Sequence, residues 1–246
     1  MNIINYLVAI YFGLIMGNFA TSFYFRIPRG ISLLGFSYFN SIPPNCSSCK
    51  HPLKVKEYVP IIGYLLSKGR CNYCEAKIDL NYLIIEIFSL FLSLFCYSQF
   101  FFSDWYLIFI LLGISSLIAS MLLLTNKKVH KSFVFFMVFL AIIYSTLIHA
   151  NIYGWVFKLA ISAIAFVIIT HYSYKHNIGN IHFELLKILF VAFVWFDLGL
   201  MLFYTLFILV SYILSFRYNL SVARYVCCYS YLIIFLIIMI NHLVQI

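Results

Sequence analysis

The chain has 246 residues, of which 65% are hydrophobic, 20% aromatic and only 9% charged, with a mean hydropathy of +1.02 and a formal net charge of +9. A soluble domain carries about 25% charged residues, so this composition excludes a water-covered globule and implies an all-α polytopic membrane protein. The positive charge does not point to nucleic acid. The basic residues flank apolar runs, where membrane orientation and anionic lipid account for them, and no folded nucleic-acid motif accompanies them.

In chain order, apolar runs long enough to span a bilayer fall at 3–24, 82–102, 105–124, 133–151 and 153–173. A continuous run at 184–216 follows, and a last one at 226–245. One span needs roughly 20 residues. The first run lacks a basic leader and a small-residue cleavage site, so it is expected to be a retained helix rather than a signal peptide. The 184–216 run is long for one span and short for two, with Gly199 near its middle, where a tight reversal fits. Charge arbitrates. Of the 16 Lys and Arg, eight lie at 26–81. Lys127, Lys128 and Lys131 follow the third span, Lys175 and Lys187 the fifth, and Arg217 and Arg224 precede the last. With 184–216 as two helices, all of these share one side and only Lys158 falls elsewhere. The positive-inside rule then makes that side cytoplasmic, with both termini outside. The expected organisation is a first transmembrane helix at 1–25, a cytoplasmic cysteine-bearing domain at 26–81 and a transmembrane bundle at 82–246, about eight spans in all.

The polar stretch holds Cys46-Ser-Ser-Cys49 and Cys71-Asn-Tyr-Cys74, two Cys-x-x-Cys knuckles separated by 21 residues. Each knuckle puts two thiolates on one tight turn, and two knuckles complete a tetrahedron around zinc. A cytoplasmic loop is reducing, which favours bound zinc or free thiols over disulfides. His51 stands close enough in sequence to serve as a substitute ligand. The cluster reads as a fold staple, and a staple does not preclude a platform for substrate or cofactor. Cys96, Cys227 and Cys228 lie in membrane segments and read as small packing residues.

Around the knuckles the sequence continues Gly17-Asn18-Phe19-Ala20, Arg26-Ile27-Pro28-Arg29-Gly30, His51-Pro52-Leu53, Val59-Pro60-Ile61-Ile62-Gly63-Tyr64-Leu65, Gly69-Arg70 and Ile78-x-x-x-Tyr82, leading to Glu86. This pattern resembles the N-terminal half of the type IV prepilin peptidase/N-methyltransferase family, densely over about residues 10–90. The resemblance implies an integral protein of the bacterial inner membrane. It implies cleavage of leaders from type IV prepilins and type II secretion pseudopilins at the cytoplasmic face. It also implies methylation of the new N-terminus with S-adenosylmethionine.

The second half departs from that pattern. The family's protease uses one aspartate followed by five residues and Ile-Pro, and a second in Gly-x-Gly-Asp-x-Lys. Two carboxylates in one site push each other's pKa apart, leaving one as base and the other as acid. Here the first motif aligns with Leu123 at the aspartate place and Val129-His130 at Ile-Pro. The second aligns as Asn177-Ile178-Gly179-Asn180-Ile181-His182, with Asn180 at the aspartate place. Neither Leu nor Asn takes a proton as a base does. The seven acids of the chain are Glu57, Glu75, Asp79, Glu86, Asp104, Glu184 and Asp197, and no two occupy the pair of places. Glu184, at the start of the sixth span, reads as a helix-stabilising acid or a recruited catalyst. Asp197, within the apolar run, is by default functional and by position equally interfacial. His171, His176 and His182 share one loop, where surface polarity or a metal site fits. There is no glycine-rich phosphate loop, HExxH or G-x-S-x-G. The sequence therefore supports a family member defective in aspartyl cleavage that binds or methylates prepilins or assists an active paralogue. The alternatives are a divergent active peptidase using Glu184 or Asp197, and a zinc-stapled scaffold for pilus or secretion assembly.

Overall fold

A computed structural model describes residues 3–31, 45–125 and 131–148, with scattered helical positions at 156, 157, 160, 164, 167, 171, 232, 233, 235–240, 242 and 243. The described residues are mostly helical and contain no strand, only two isolated β-bridges. Three helices among them are long and apolar enough to cross a membrane: Ile3–Arg29, counting a terminal 3₁₀ turn, Leu80–Phe100 and Asp104–Leu122. These coincide with the first three expected spans to within a few residues. The 184–216 run lies outside the described residues. The chain divides into two compact units, Met1–Ile114 and Ser115–Ile246.

Helix α1 (Ile3–Arg26) is 24 residues long, about 36 Å at 1.5 Å per residue. It stops where Pro28 withdraws a backbone donor. Gly30 then takes a left-handed φ of 65°, its N–H donates to Ile27 O at 3.2 Å, and Ile31 N–H donates to Arg26 O at 3.2 Å. This paired closure satisfies carbonyls the helix end leaves open, and the left-handed position favours glycine.

Helix α2 (Ile62–Leu66) is a single short element inside the polar stretch. Helix α3 (Leu80–Phe100) begins at Asp79, whose carboxylate accepts from Asn81 N–H at 3.0 Å and caps the first turn. A three-residue connection, Phe101–Ser103, leads into α4 (Asp104–Leu124).

Helices α1 and α3 touch along small residues. A Cβ placed on Gly13 would lie 2.8 Å from Ser93 Cβ and 3.0 Å from Leu90 Cα, and one on Gly17 would lie 3.1 Å from Glu86 Cα. Glycines four apart in α1 therefore face serines four apart in α3, Ser89 and Ser93. Lipid offers no hydrophobic drive between helices, so close backbone packing supplies the attraction. Ser93 Oγ donates to Ala9 O at 2.7 Å and lies 2.8 Å from Tyr106 Oη, tying α1, α3 and the start of α4 at one buried point. At the other end of the pair, fully buried Tyr24 donates to Asp79 Oδ2 at 3.2 Å and accepts from Asn81 Nδ2 at 3.0 Å, with its ring edge-on to Tyr82.

In the second unit, α5 (Lys131–Ile148) carries buried Tyr144, whose ring lies 6.5 Å from that of His242. The helical positions at Val156, Phe157, Ile164 and Val167 are exposed apolar residues.

Candidate metal centre

The two cysteine knuckles have the same backbone. In the first, Cys46 N–H donates to His51 O at 3.0 Å, Lys50 N–H returns to Cys46 O at 3.0 Å, and Lys50 takes φ 62°. In the second, Cys71 N–H donates to Ala76 O at 2.9 Å, Glu75 N–H returns to Cys71 O at 2.9 Å, and Glu75 takes φ 57°. A single antiparallel bridge closes each, Asn45 with Pro52 and Arg70 with Lys77. A positive φ on a side-chain-bearing residue is uncommon, and its recurrence after each second cysteine shows that the turn, rather than the residue identity, decides it.

Facing each other, the knuckles bring all four sulfurs within 4.8 Å of one another. Cys46 Sγ lies 3.8 Å from Cys74 Sγ, and Cys49 Sγ lies 4.0 Å from Cys71 Sγ. Those separations are far beyond a disulfide bond of about 2.05 Å. They match a tetrahedron with zinc–sulfur bonds of about 2.3 Å, whose edges are about 3.8 Å. Four thiols from two turns are the donor set of a closed structural zinc site, and the sulfur positions fit that ion. The first cysteine of each knuckle is buried and the second exposed.

The thiols differ in proton affinity. Burial alone would raise Cys46, but N–H donors of Cys49 and Ser48 and the neighbouring sulfurs outweigh it and bring its pKa down to about 6. Cys74 moves the other way. The Ala76 N–H would lower it, yet burial and the three adjacent sulfurs push it up to about 11. Charge that settles on one sulfur of the cluster makes the next proton harder to remove, and a bound cation reverses that order by drawing off the protons.

His51 is not among the metal-facing groups. Its Nδ1 lies 2.8 Å from Pro52 O, and its ring stacks on Tyr73 with centroids 3.5 Å apart. It thus joins the first knuckle to the second from outside the sulfur cluster. A second tie runs through Glu57. Its carboxylate accepts from Lys54 N–H at 2.7 Å and from Asn72 Nδ2 at 2.8 Å, and these bonds hold its pKa below the ordinary carboxylate value. The turn carrying Glu57 is pressed against Gly63, where a Cβ would lie 2.5 Å from Glu57 O.

The module is attached to α3 at a strained point. Ile61 has φ 63° and ψ −52°, and Ile62 N–H donates to Pro60 O at 2.6 Å, a γ-turn of the rare positive-φ kind. A β-branched residue there costs roughly 1–3 kcal/mol. Its own N–H donates to Glu86 Oε2 at 2.6 Å. Glu86 therefore fixes the module to the second turn of a membrane-crossing helix. Its role was not evident from sequence, although a lone carboxylate inside an apolar run is itself a signal.

Of the expected site residues, the structure brings Cys46, Cys49, Cys71 and Cys74 together. Leu123 lies in the last turn of α4. Asn180, Glu184 and Asp197 lie outside the described residues, as do His130, His176 and His182. His171 is a helical, exposed position.

Residues 11–100, which hold most of α1, the cysteine module and α3, match the family model of the Bacterial Peptidase A24 N-terminal domain. The chain is 32% identical over 120 residues to a prepilin leader peptidase/N-methyltransferase of Vibrio cholerae, covering 47% of this chain and 46% of that protein. Its likeness to the protein of the same name from Neisseria gonorrhoeae is 29% over 93 residues, covering 30% of this chain and 32% of the relative. With that of Dichelobacter nodosus it is 37% over 57 residues, covering 22% and 20%. By these likenesses residues 11–100 carry a domain of the Bacterial Peptidase A24 N-terminal kind. The matches span less than half the length of these relatives. No solved structure matches the chain.

Proposed function

We propose that the chain is a membrane protein of the bacterial inner membrane that acts on type IV prepilins or type II secretion pseudopilins and has lost aspartyl cleavage. One feature of the sequence supports the reading: aligned on the family's two aspartate motifs, the chain has Leu123 and Asn180 at the aspartate places. Leucine has no proton to move and an amide cannot act as a carboxylate base, so the acid–base pair that activates water is missing. Glu184 and Asp197 are the two acids nearest Asn180 in sequence, no acid stands near Leu123, and neither of the two restores the pair.

In this reading the cysteine module is cytoplasmic and its four thiolates hold structural zinc. The ion supplies a rigid crosslink between the two knuckles. Around it, this chain's own residues set the shape: His51 on Tyr73 and Glu57 on Asn72 join the knuckles, and Glu86 fixes the assembly to α3. The whole chain has eight spans, with a cysteine domain at 26–81 and a bundle at 82–246. Methylation of a processed pilin with S-adenosylmethionine follows from the family name of the relatives. Presentation of prepilins to an active paralogue is the remaining role this architecture serves.

The test is a cleavage assay in membranes with a type IV prepilin, in a host lacking any other prepilin peptidase. No cleavage is expected from the folded, zinc-loaded protein. Cleavage that disappears in Glu184→Gln or Asp197→Asn would overturn the reading and identify a recruited acid. Methyl transfer without cleavage would select the methyltransferase form, and prepilin capture without either would select a scaffold.

A further inference from the structure

Helix α2 carries Ile62, Leu65 and Leu66 on one side, at the i, i+3, i+4 spacing of a single helical face. They are 54%, 61% and 72% exposed, although the surrounding module is the most polar part of the chain. Apolar residues scattered singly over a surface need no explanation, whereas three on one turn mark a contact site.

The level of that turn along the membrane helix is fixed. Ile61, immediately before α2, donates its N–H to Glu86 of α3 at 2.6 Å. Glu86 lies six residues beyond Leu80, the first residue of α3, and so about 9 Å along the helix axis. Helix α3 is long and apolar enough to cross a bilayer. A turn held against its second helical turn stands at the membrane boundary rather than out in solvent. Basic residues rim the same segment. Lys68 and Arg70 follow α2, Lys54 and Lys56 precede it, and all four are exposed. An apolar face with a basic rim at that level is suited to anionic lipid headgroups above an acyl boundary.

We infer that α2 is an interfacial foot of the cysteine module. Ile62, Leu65 and Leu66 insert at the headgroup–acyl boundary, and Lys68 and Arg70 pair with anionic lipid. The inference rests on α3 spanning the membrane and is independent of whether the chain cleaves or methylates. The sulfur cluster fixes the module internally, Glu86 sets its height, and the foot fixes its tilt on the bilayer.

The test places a photo-crosslinking benzoylphenylalanine at Leu66 in the full chain, purified and reconstituted in phosphatidylethanolamine–phosphatidylglycerol vesicles. A second variant carries the probe at exposed Glu75 in the second knuckle. Irradiation is expected to give a lipid adduct, read by mass, at position 66 and none at position 75. Adduct yield at 66 is expected to fall in Lys68→Glu/Arg70→Glu and when phosphatidylglycerol is omitted. A crosslink from position 66 to residues 126–246, a crosslink to a second copy, or an adduct yield no higher than at position 75 would each overturn the inference. An independent readout is quenching by brominated lipid of Leu65→Trp in a Trp105→Phe, Trp155→Phe, Trp195→Phe background. Absence of quenching there would also overturn it.

Discussion

The cysteine module and the α1–α3 pair both bring backbone segments unusually close, by opposite means. In the module, turns with positive φ at Lys50, Ile61 and Glu75 bend the chain, and the bends at Lys50 and Glu75 bring four sulfurs close enough to share one ion. In the helix pair, Gly13 and Gly17 remove the side chains that would keep Ser89 and Ser93 away. The difference follows from solvent. Outside the bilayer a small polar module has too little core to hold itself and needs a crosslink. Inside it, the helices already have satisfied backbones, and closeness alone supplies attraction. Glu86 is where the two meet, with its backbone beside Gly17 and its carboxylate on Ile61 N–H.

If the two regions are held by separate means, they can be broken separately. The largest effect is expected from Cys71→Ser. One lost ligand removes most of a metal contribution of order 10 kcal/mol. Zinc bound per chain should fall to background and amide exchange across 45–79 should accelerate, while exchange in α1 and α3 stays slow. Next comes Gly13→Leu, which places a branched side chain where even a Cβ would be 2.8 Å from Ser93. Overpacking of this kind costs about 1–3 kcal/mol or more. The expected result is a lower melting temperature in detergent with zinc content unchanged, the mirror image of the first variant. Glu86→Ala tests the joint. It leaves the Ile61 N–H without its acceptor and the strained turn without support, at about 1–3 kcal/mol. Faster exchange confined to 58–66, with both zinc and the helix pair retained, is the expected outcome. Simultaneous loss of zinc would show that the regions are not separable.

The smallest effect concerns Glu57. Its pKa is lowered in the folded chain by Asn72 and by Lys54 N–H. The stabilisation is therefore fully present above the ordinary carboxylate value of 4.5 and is lost as pH falls through the lower folded value. Asn72→Ala should slightly destabilise the module at neutral pH and converge on wild type in acid. Denaturation curves of the two proteins across that range check the sign. Because both hydrogen bonds of Glu57 are open to solvent, the difference should also shrink in high salt.

Much of this was legible from residue order. The spacing of Cys46, Cys49, Cys71 and Cys74 specifies a four-thiol cluster, because two residues between cysteines fit one turn and little else. Apolar runs placed the first three membrane helices to within a few residues, since a bilayer demands a minimum length of apolar chain. His51 was a different matter. Its place after Cys49 suited a ligand, but a ring two residues beyond a knuckle can turn either way, and contact with Tyr73 decided the direction. The Ile61–Glu86 bond joins residues 25 apart across a helix boundary, and no local pattern encodes that distance. Asn72 with Glu57 and Ser93 with Ala9 were hidden for the same reason.

By itself the sequence determined a membrane protein, the position of its polar insert and the four thiols. These are matters of composition, spacing and residue identity, which need no coordinates. Only the tertiary structure decided that the sulfurs stand at the separations a tetrahedral ion requires, that α1 and α3 meet on glycine and serine, and that a carboxylate in α3 grips the strained turn of the cysteine module. Those are distances between residues far apart in the chain, and they exist only once packing has brought the elements together.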